Sequence, residues 1–179
     1  MRFVETPLRG AYVIELDSIQ DERGFFARSF CTREFAEHGM NACVEQCNIT
    51  FNPRAGTLRG MHFQIEPHLE AKLVRCTAGA IHDVIVDLRP GSATQYRWFA
   101  AVLSAFNRRM IFVPENFAHG FQTLKDNSEV FYQMSASYHP QSVRGLRWND
   151  PALAIDWPID NPILSDRDRV LPLLSGVRT

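Results

Sequence analysis

Short apolar segments separated by turn residues run through most of this chain. Seven of them stand between clusters of glycine, proline, asparagine and aspartate, at residues 11–16, 24–30, 57–65, 72–89, 96–105, 109–124 and 129–138. Segments of this length, rich in β-branched and aromatic residues, are typical of strands rather than of a helical bundle. The pattern therefore predicts an all-β sandwich or barrel.

One short helix is expected among these strands, at residues 32–40. Thr32 is the candidate cap at its start, and Phe35 and Ala36 are expected to face inward. Gly39 is expected to end the helix, because glycine readily adopts the left-handed conformation found after helices. The predicted class is thus all-β with a few short helices.

The chain after residue 148 is richer in proline and aspartate but keeps apolar side chains throughout. These side chains favour an ordered arm that wraps the barrel: Trp148, Leu153, Ile155, Trp157 and Ile163. No internal repeat, low-complexity tract or linker-like run interrupts the 179 residues. We therefore expect a single domain over residues 1–179 with a C-terminal wrapping arm.

Composition narrows the possible partners. The formal net charge of −1 gives no general field that would attract nucleic acid or an anionic membrane. No apolar stretch approaches the length of a membrane span, and the first residues lack the apolar core of a secretion signal. The four cysteines show no CxxC pair, as expected of reduced thiols. We expect a cytoplasmic protein that binds neither nucleic acid nor membrane.

His62 lies in the run LRGMHFQ at residues 58–64. On a strand, His62 and Gln64 would share one face, with Met61 and Phe63 on the other. A histidine held there beside a basic side chain is suited to accept a proton near neutral pH. The alternative is a core or surface histidine satisfied by one hydrogen bond.

Two further polar residues, Lys72 and Tyr132, lie on predicted strands. Lys72 stands out because 17 of the 19 basic residues are arginine. In a closed sandwich, polar residues that point inward collect in one cavity. There a base would remove a proton next to a carbonyl, a cation would stabilise the enolate, and a phenol would return the proton. The alternatives are a solvated strand end for Lys72 and a core tyrosine with a bonded hydroxyl.

Small β-barrels of the cupin type often bind a metal, so this possibility needs a test of its own. Two histidines in an HxH pattern on one strand would suit a metal ion. Here the stretch is His62-Phe63-Gln64, and His119 adds only one more nitrogen. A cation next to Lys72 would also be repelled. We expect no metal.

Two aspartates, Asp83 and Asp87, alternate with Ile85 on one predicted strand face. A buried aspartate at this place could orient His62 or Lys72. A solvated sheet edge is the other interpretation.

Several motifs, in order, resemble the dTDP-4-dehydrorhamnose 3,5-epimerase family. They cover nearly the whole chain: DERGFF (21–26), LRGMHFQ (58–64), KLVRC (72–76), VDLR (86–89), VPENFAHGF (113–121), FYQ around Tyr132, RWNDPALAIDWP (147–158) and LSDRD (164–168). The resemblance implies a cupin-type jelly roll. It also implies an isomerase that needs no cofactor and inverts carbon 3, carbon 5 or both of a nucleotide-linked 4-keto-6-deoxyhexose.

The resemblance further implies roles for individual residues. His62 would be the general base, Tyr132 the acid, Lys72 the cation that stabilises the 4-keto oxygen, and Asp168 the partner of the base. Residues expected to bind the nucleotide-diphosphate sugar are Arg23, Phe26, Gln46, Asn48, Arg59, His119, Tyr138 and Arg167. Arg23 and Phe26 would reach into a neighbouring subunit's site, which implies a homodimer built by strand exchange.

The chain also departs from the family pattern, since Arg28 and the segment around Val143 and Arg144 stand where the family has glutamates. Cys47, between Gln46 and Asn48, replaces an aspartate. These changes alter the charge of the outer pocket, which concerns the nucleotide end of the substrate rather than the proton chemistry. A single-carbon epimerase or ketoisomerase on another nucleotide sugar therefore stays open. A non-catalytic cupin that binds a sugar nucleotide is the alternative from another class.

Overall fold

A computed structural model describes residues 1–176. Within that range there are thirteen strands: β1 (Arg2–Glu5), β2 (Tyr12–Glu15), β3 (Ile19–Asp21), β4 (Gly24–Phe26), β5 (Gln46–Asn52), β6 (Leu58–Gln64), β7 (Lys72–Ala78), β8 (Ala80–Asp87), β9 (Trp98–Ser104), β10 (Met110–Val113), β11 (Phe117–Thr123), β12 (Ser128–Met134) and β13 (Val143–Gly145). The helical elements are α1 (Thr32–Glu37), α2 (Asp166–Arg169) and a 3₁₀ turn (Leu174–Gly176). The predicted all-β class with a few short helices is confirmed.

The strands form two large sheets and a separate hairpin. The six-stranded sheet has the order β1-β2-β10-β7-β12-β5, and the five-stranded sheet has the order β13-β6-β11-β8-β9. Among the strands of residues 1–176, β3 and β4 pair only with each other. Apolar side chains from both large sheets pack into one core, in which Val74 and Val130 of the first meet Ile85 and Phe117 of the second. The two sheets therefore form a sandwich.

Two of the predicted segments each divide into two strands. Residues 72–89 turn at Gly79, where φ is +73° and an added Cβ would lie 2.9 Å from the Cα of Ser128. Only glycine fits such a turn without strain, and there the chain passes from the six-stranded to the five-stranded sheet. Residues 109–124 likewise divide between β10 and β11, and Asn116 has a φ of +61°.

Strand β5 was not predicted, because its apolar side chains face outward and its polar side chains face inward, the reverse of the usual pattern. Its exposed residues include Ile49 and Phe51, whereas Gln46, Asn48 and Thr50 are partly buried and Asn52 is fully buried. A search for apolar residues on the inner face misses such a strand. Its polar face is directed toward the space between the sheets.

Helix α1 was predicted at the right place, but with two wrong details. Cys31, not Thr32, occupies the N-cap position, and no side chain of the described residues caps the helix. Phe35 is buried as expected, while Ala36 is exposed. Gly39, at φ +70°, follows the last turn, and its N–H donates to the Ala36 carbonyl at 2.9 Å. The predicted end of the helix is therefore confirmed.

The C-terminal arm packs against the five-stranded sheet. Leu153 and Ile155 join a buried cluster with Met61 and Phe63 of β6. Further along, the Leu58 N–H donates to the Ile163 carbonyl at 2.9 Å. The arm thereby carries α2 back to β6. None of the helices in residues 1–176 combines the length and apolar character that a membrane crossing demands.

Candidate active site between the two sheets

A cavity of about 300 Å³ opens between the two large sheets. The six-stranded sheet contributes Thr50, Lys72 and Tyr132 to its wall. The other lining residues come from the five-stranded sheet and from α2 with its cap: Arg59, His62, His119, Phe121, Ser165, Arg167 and Asp168. The structure thus brings His62, Lys72, Tyr132 and Asp168 into one cavity, as expected.

His62 is held by a buried carboxylate. Its Nε2 lies 2.7 Å from Asp168 Oδ1, and the other oxygen of Asp168 accepts from the Gly60 N–H at 3.4 Å. Burial alone would raise the pKa of Asp168, but the hydrogen bond and charge of His62 and the Gly60 N–H outweigh it and lower that pKa. An ionised Asp168 accepts from Nε2–H, so Nδ1 is the nitrogen left to take a proton.

Asp168 reaches this position because of the short helix α2. Ser165 caps the helix, and its Oγ accepts from the Asp168 N–H at 3.1 Å. The helix has one buried residue, which is Asp168 itself. The helix thereby brings this carboxylate to His62 on β6.

Lys72 is buried, so its alternative as a solvated strand end is wrong. Its Nζ lies 2.8 Å from Oε1 of Glu70, and both side chains are at most one-tenth exposed. The sequence reasoning missed Glu70. The available signal was the spacing of two opposite charges at i and i+2, which places both side chains on one side of an extended chain.

Tyr132 enters the cavity from the sheet opposite His62. Burial raises the pKa of its phenol, and the negative charge of Glu70 acts in the same direction. A hydrogen bond with Asn48 and the charge of Arg59 act against this rise without reversing it. The phenol is therefore neutral at physiological pH and has a proton to donate.

His119 forms a second pair with a carboxylate. Its Nε2 lies 2.9 Å from Oδ2 of the fully buried Asp83. Asp83 therefore orients His119, which differs from both interpretations of the sequence, the orientation of His62 or Lys72 and a solvated edge. Asp87 is also fully buried and binds Arg89, which corrects both the expected role and the solvated-edge alternative.

Arg59 and His62 both line the cavity although they are three residues apart on β6. Strict alternation would put them on opposite faces. The pairing of β6 with β11 shifts register between His119 and Phe121, which turns both side chains to the same cavity. At the position of this register shift, a Cβ added to Gly60 would lie 2.6 Å from the Cα of Gly120. The two strands are therefore too close for a residue other than glycine at position 60.

The other expected substrate-binding residues are not among those that line this cavity: Arg23, Phe26, Gln46, Asn48 and Tyr138. Gln46 donates from its Nε2 to Asn48 at 3.1 Å, and its Oε1 accepts from the Tyr138 N–H at 3.0 Å. Asn48 is the register partner of Tyr132 on β5, and Gln46 pairs with Met134 two residues further along β12. Arg23 and Phe26 lie on the β3–β4 hairpin, away from the residues that line the cavity.

The two histidines of the cavity, His62 and His119, each pair with a different carboxylate. Within residues 1–176, no group of three or more histidine, cysteine, aspartate or glutamate side chains is arranged to hold a metal. The chemistry available to the cavity's own residues is that of a base, an acid and a cation.

Residues 5–176 match the family model described as dTDP-4-dehydrorhamnose 3,5-epimerase. A relative of that name from Methanothermobacter thermautotrophicus is 44% identical over 171 residues, which cover 94% of this chain and 91% of the relative.

Solved structures give the same result. The dTDP-4-dehydrorhamnose 3,5-epimerase of Bacillus anthracis, with TDP and PPi bound, has a TM-score of 0.93 at 43% identity, over 97% of this chain and 99% of that chain. The Legionella pneumophila dTDP-6-deoxy-D-glucose-3,5-epimerase, in complex with dTDP-4-keto-L-rhamnose, has a TM-score of 0.92 at 36% identity, over 99% of this chain and 94% of that chain. The expected cupin-type fold is confirmed by these similarities.

Proposed function

This chain belongs to the dTDP-4-dehydrorhamnose 3,5-epimerase family, and from that premise we propose how its cavity carries out the reaction. It is an isomerase that inverts carbon 3, carbon 5 or both of a nucleotide-linked 4-keto-6-deoxyhexose. One observation carries the assignment of residues: His62 and Tyr132 come from opposite sheets into the cavity that also holds Lys72.

The 4-keto group acidifies the hydrogens on the carbons at either side of it. Nδ1 of His62 takes one of these protons, the electrons of the C–H bond form a C=C bond, and the carbonyl pair moves onto oxygen 4. Asp168 stabilises the imidazolium that results, since its lowered pKa keeps it ionised. The Lys72 ammonium donates to the negative oxygen.

Inversion requires that the proton returns to the opposite face of the sugar. Tyr132 stands on the sheet across the cavity from His62 and has a neutral phenol. Its proton passes to the carbon, and the enolate collapses to the ketone with the reversed configuration. A protein that only bound the sugar would need no acid on the face opposite the base, which argues against the non-catalytic alternative.

Substrate binding uses the remaining polar lining. Arg59, His119 and Arg167 surround the cavity with groups that bind sugar hydroxyls and phosphate oxygens. Gln46, Asn48 and Tyr138, which are joined by hydrogen bonds through Gln46, are proposed to bind the nucleotide. Arg59 is oriented by Asn52, whose Oδ1 accepts from its Nε at 2.8 Å.

We further propose that the active protein is a homodimer. The edge strand β5 exposes Ile49 by 62% and Phe51 by 55%, and Phe26 on the hairpin is exposed by 71%. Large apolar side chains exposed in this way on a sheet edge favour contact with another chain. Arg23, beside Phe26, would then complete the partner subunit's site.

Two further proposals concern the cellular location and the domain organisation of the chain. Its four cysteines are unpaired, which supports a location in the reducing cytoplasm. The packing of Leu153 and Ile155 against β6 supports one domain over residues 1–179 with its C-terminal arm. Residues 177–179 lie outside the described range.

The proposed reaction is tested by hydrogen exchange. Incubation with dTDP-4-dehydro-6-deoxy-D-glucose in deuterated water is expected to replace hydrogen by deuterium at carbons 3 and 5. Proton NMR measures this replacement. Exchange at one carbon alone would favour the single-carbon epimerase. Absence of exchange across a panel of nucleotide-linked 4-keto sugars would contradict catalysis and favour a binding protein.

A further inference from the structure

Glu70 is a buried carboxylate that the reaction described above does not use. Its side chain is 6% exposed and its Oε1 lies 2.8 Å from Lys72 Nζ. Within residues 1–176, its other oxygen, Oε2, is buried and has no hydrogen-bond partner. A half-satisfied buried carboxylate is unfavourable for folding, so an arrangement of this kind calls for a functional reason.

The backbone directs Glu70 and Lys72 to the same side of the chain. Ala71, between them, receives a hydrogen bond at its carbonyl from the Ser135 N–H at 3.0 Å, and its own N–H donates to the Ser135 Oγ at 2.7 Å. These bonds continue the β7–β12 ladder by one residue and keep the segment extended. Ala71 packs into the core cluster around Phe35, so Glu70 and Lys72 point the other way, toward the cavity.

The Lys72 ammonium has three donors, and Glu70 is the carboxylate that lies within ion-pair distance of it in the described part of the chain. A lysine side chain with four rotatable bonds would otherwise sample many positions of its charge. An enolate oxygen is stabilised most when the donor is already in place before the negative charge develops.

From these observations we infer that Glu70 is a positioning residue, which holds the Lys72 ammonium so that its remaining N–H groups face the substrate's carbonyl oxygen. This inference rests on the proposed function, because it assigns Lys72 to the enolate.

The first test needs no activity. The chain has two lysines, Lys72 and the exposed Lys125, so ¹⁵N-lysine labelling of the full chain labels two ammonium groups, and Lys125 serves as the internal control. The Lys72 N–H signal is expected to be visible at neutral pH, because a buried, bonded ammonium exchanges slowly with water. That of Lys125 is expected to be lost to exchange. In Glu70→Gln the Lys72 signal is expected to disappear as well.

A Lys72 signal that is absent from the wild-type protein, or unchanged in Glu70→Gln, would overturn the inference. If Glu70→Gln fails to fold, Glu70→Asp replaces it, because the charge is kept while the reach is shortened by one methylene. The same loss of signal is expected in that variant.

The second test is kinetic. Glu70→Gln is expected to lower kcat for hydrogen exchange by roughly 10- to 100-fold, with KM within about threefold, because a small misplacement of a catalytic group has effects of this size. Glu129→Gln is the matched control, since Glu129 bonds Thr77 and does not line the cavity. In a Lys72→Met background, Glu70→Gln is expected to cause no further loss of the residual exchange.

If Glu70→Gln lowered kcat by the same factor with and without Lys72→Met, Glu70 would not act through Lys72. A wild-type kcat in Glu70→Gln would show that Glu70 has no part in catalysis. The two proposals fail separately. If the wild-type protein exchanges no sugar hydrogen while its Lys72 signal still depends on Glu70, the reaction is wrong and the positioning stands.

Discussion

His62 and His119 are register partners on the adjacent strands β6 and β11, yet each binds a different buried carboxylate. Asp168 comes from the C-terminal helix α2, and Asp83 comes from β8 on the far side of β11. The two histidines therefore have separate environments within one cavity. His62 is the more accessible, with 33% of its side chain exposed against 10% for His119. This difference supports His62 as the base and His119 as a substrate-binding residue.

Asp168→Asn is expected to lower kcat by roughly 10²- to 10⁴-fold, because an amide neither fixes the tautomer of His62 nor stabilises its imidazolium. His62→Ala is expected to abolish exchange. Asp166→Asn, two residues away on the same helix and exposed, is the matched control and should keep the wild-type rate. Steady-state kinetics and circular dichroism of the three variants provide the measurement. Activity in Asp168→Asn equal to that of the control would contradict the pairing.

Tyr132→Phe is expected to separate the two halves of the reaction. Without the phenol, His62 still removes the proton, so deuterium exchange continues, but inversion is impaired because no acid stands on the opposite face. Proton NMR in deuterated water distinguishes exchange from change of configuration. Tyr96→Phe, at an exposed site, serves as the control. If Tyr132→Phe inverted both carbons at the wild-type rate, the acid would have to be another group.

A heterodimer test examines whether Arg23 completes the partner's site. His62→Ala and Arg23→Ala are each expected to be inactive as homodimers. After the two are mixed and reassembled in equal amounts, half of the dimers carry one site with both residues intact. About a quarter of the wild-type activity is then expected to return, by counting of sites in a symmetric dimer. Sedimentation checks the dimeric state, and no recovery by mixed dimers would place Arg23 in its own subunit's site.

Asp87 is expected to make stability depend on pH. Burial would raise the pKa of Asp87, but hydrogen bonds from Arg89, Thr94 and Ser92 lower it from 3.8 to about 2. A depressed folded-state pKa contributes stability above the unfolded-state value, here about 2 kcal/mol, which is lost as the pH falls from about 4 toward 2.

The contribution of Asp87 is measured with Asp87→Asn. This variant is expected to be about 2 kcal/mol less stable than wild type at pH 7, and the difference should shrink below pH 4. Urea unfolding between pH 7 and pH 3 gives both values, with exposed Asp166→Asn as the control. A difference that stays constant over this range would show that the charge of Asp87 is not its cause.

Gly60→Ala is expected to destabilise the protein by roughly 1–3 kcal/mol, since a new methyl group at 2.6 Å from the Gly120 Cα forces β6 and β11 apart. It should also lower activity, because both His62 and Arg59 lie on that strand. Gly91→Ala is the control for the backbone alone, with a φ of +75° and no atom within 4 Å of the added carbon. Thermal unfolding compares the two. Equal losses would show that close approach of the strands is unimportant.

Local sequence patterns were sufficient to predict the class of fold and the strands that carry the central residues. The alternation in LRGMHFQ correctly put Met61 and Phe63 on one face, which is buried, and the segments around Lys72 and Tyr132 are strands as expected. These predictions succeed because strand periodicity depends on the nearest neighbours in the chain. The importance of Asp168 came from family resemblance, since no local pattern marks it.

Tertiary structure decided the contacts that give those residues their chemistry. His62 and Asp168 are 106 residues apart, and Asp83 binds His119 rather than the partners expected from its strand face. The reversed polarity of β5 likewise became apparent only when the space between the sheets was known. In each case the outcome depends on which distant segments share the low-dielectric cavity, and hydrophobic periodicity along one strand carries no information about that.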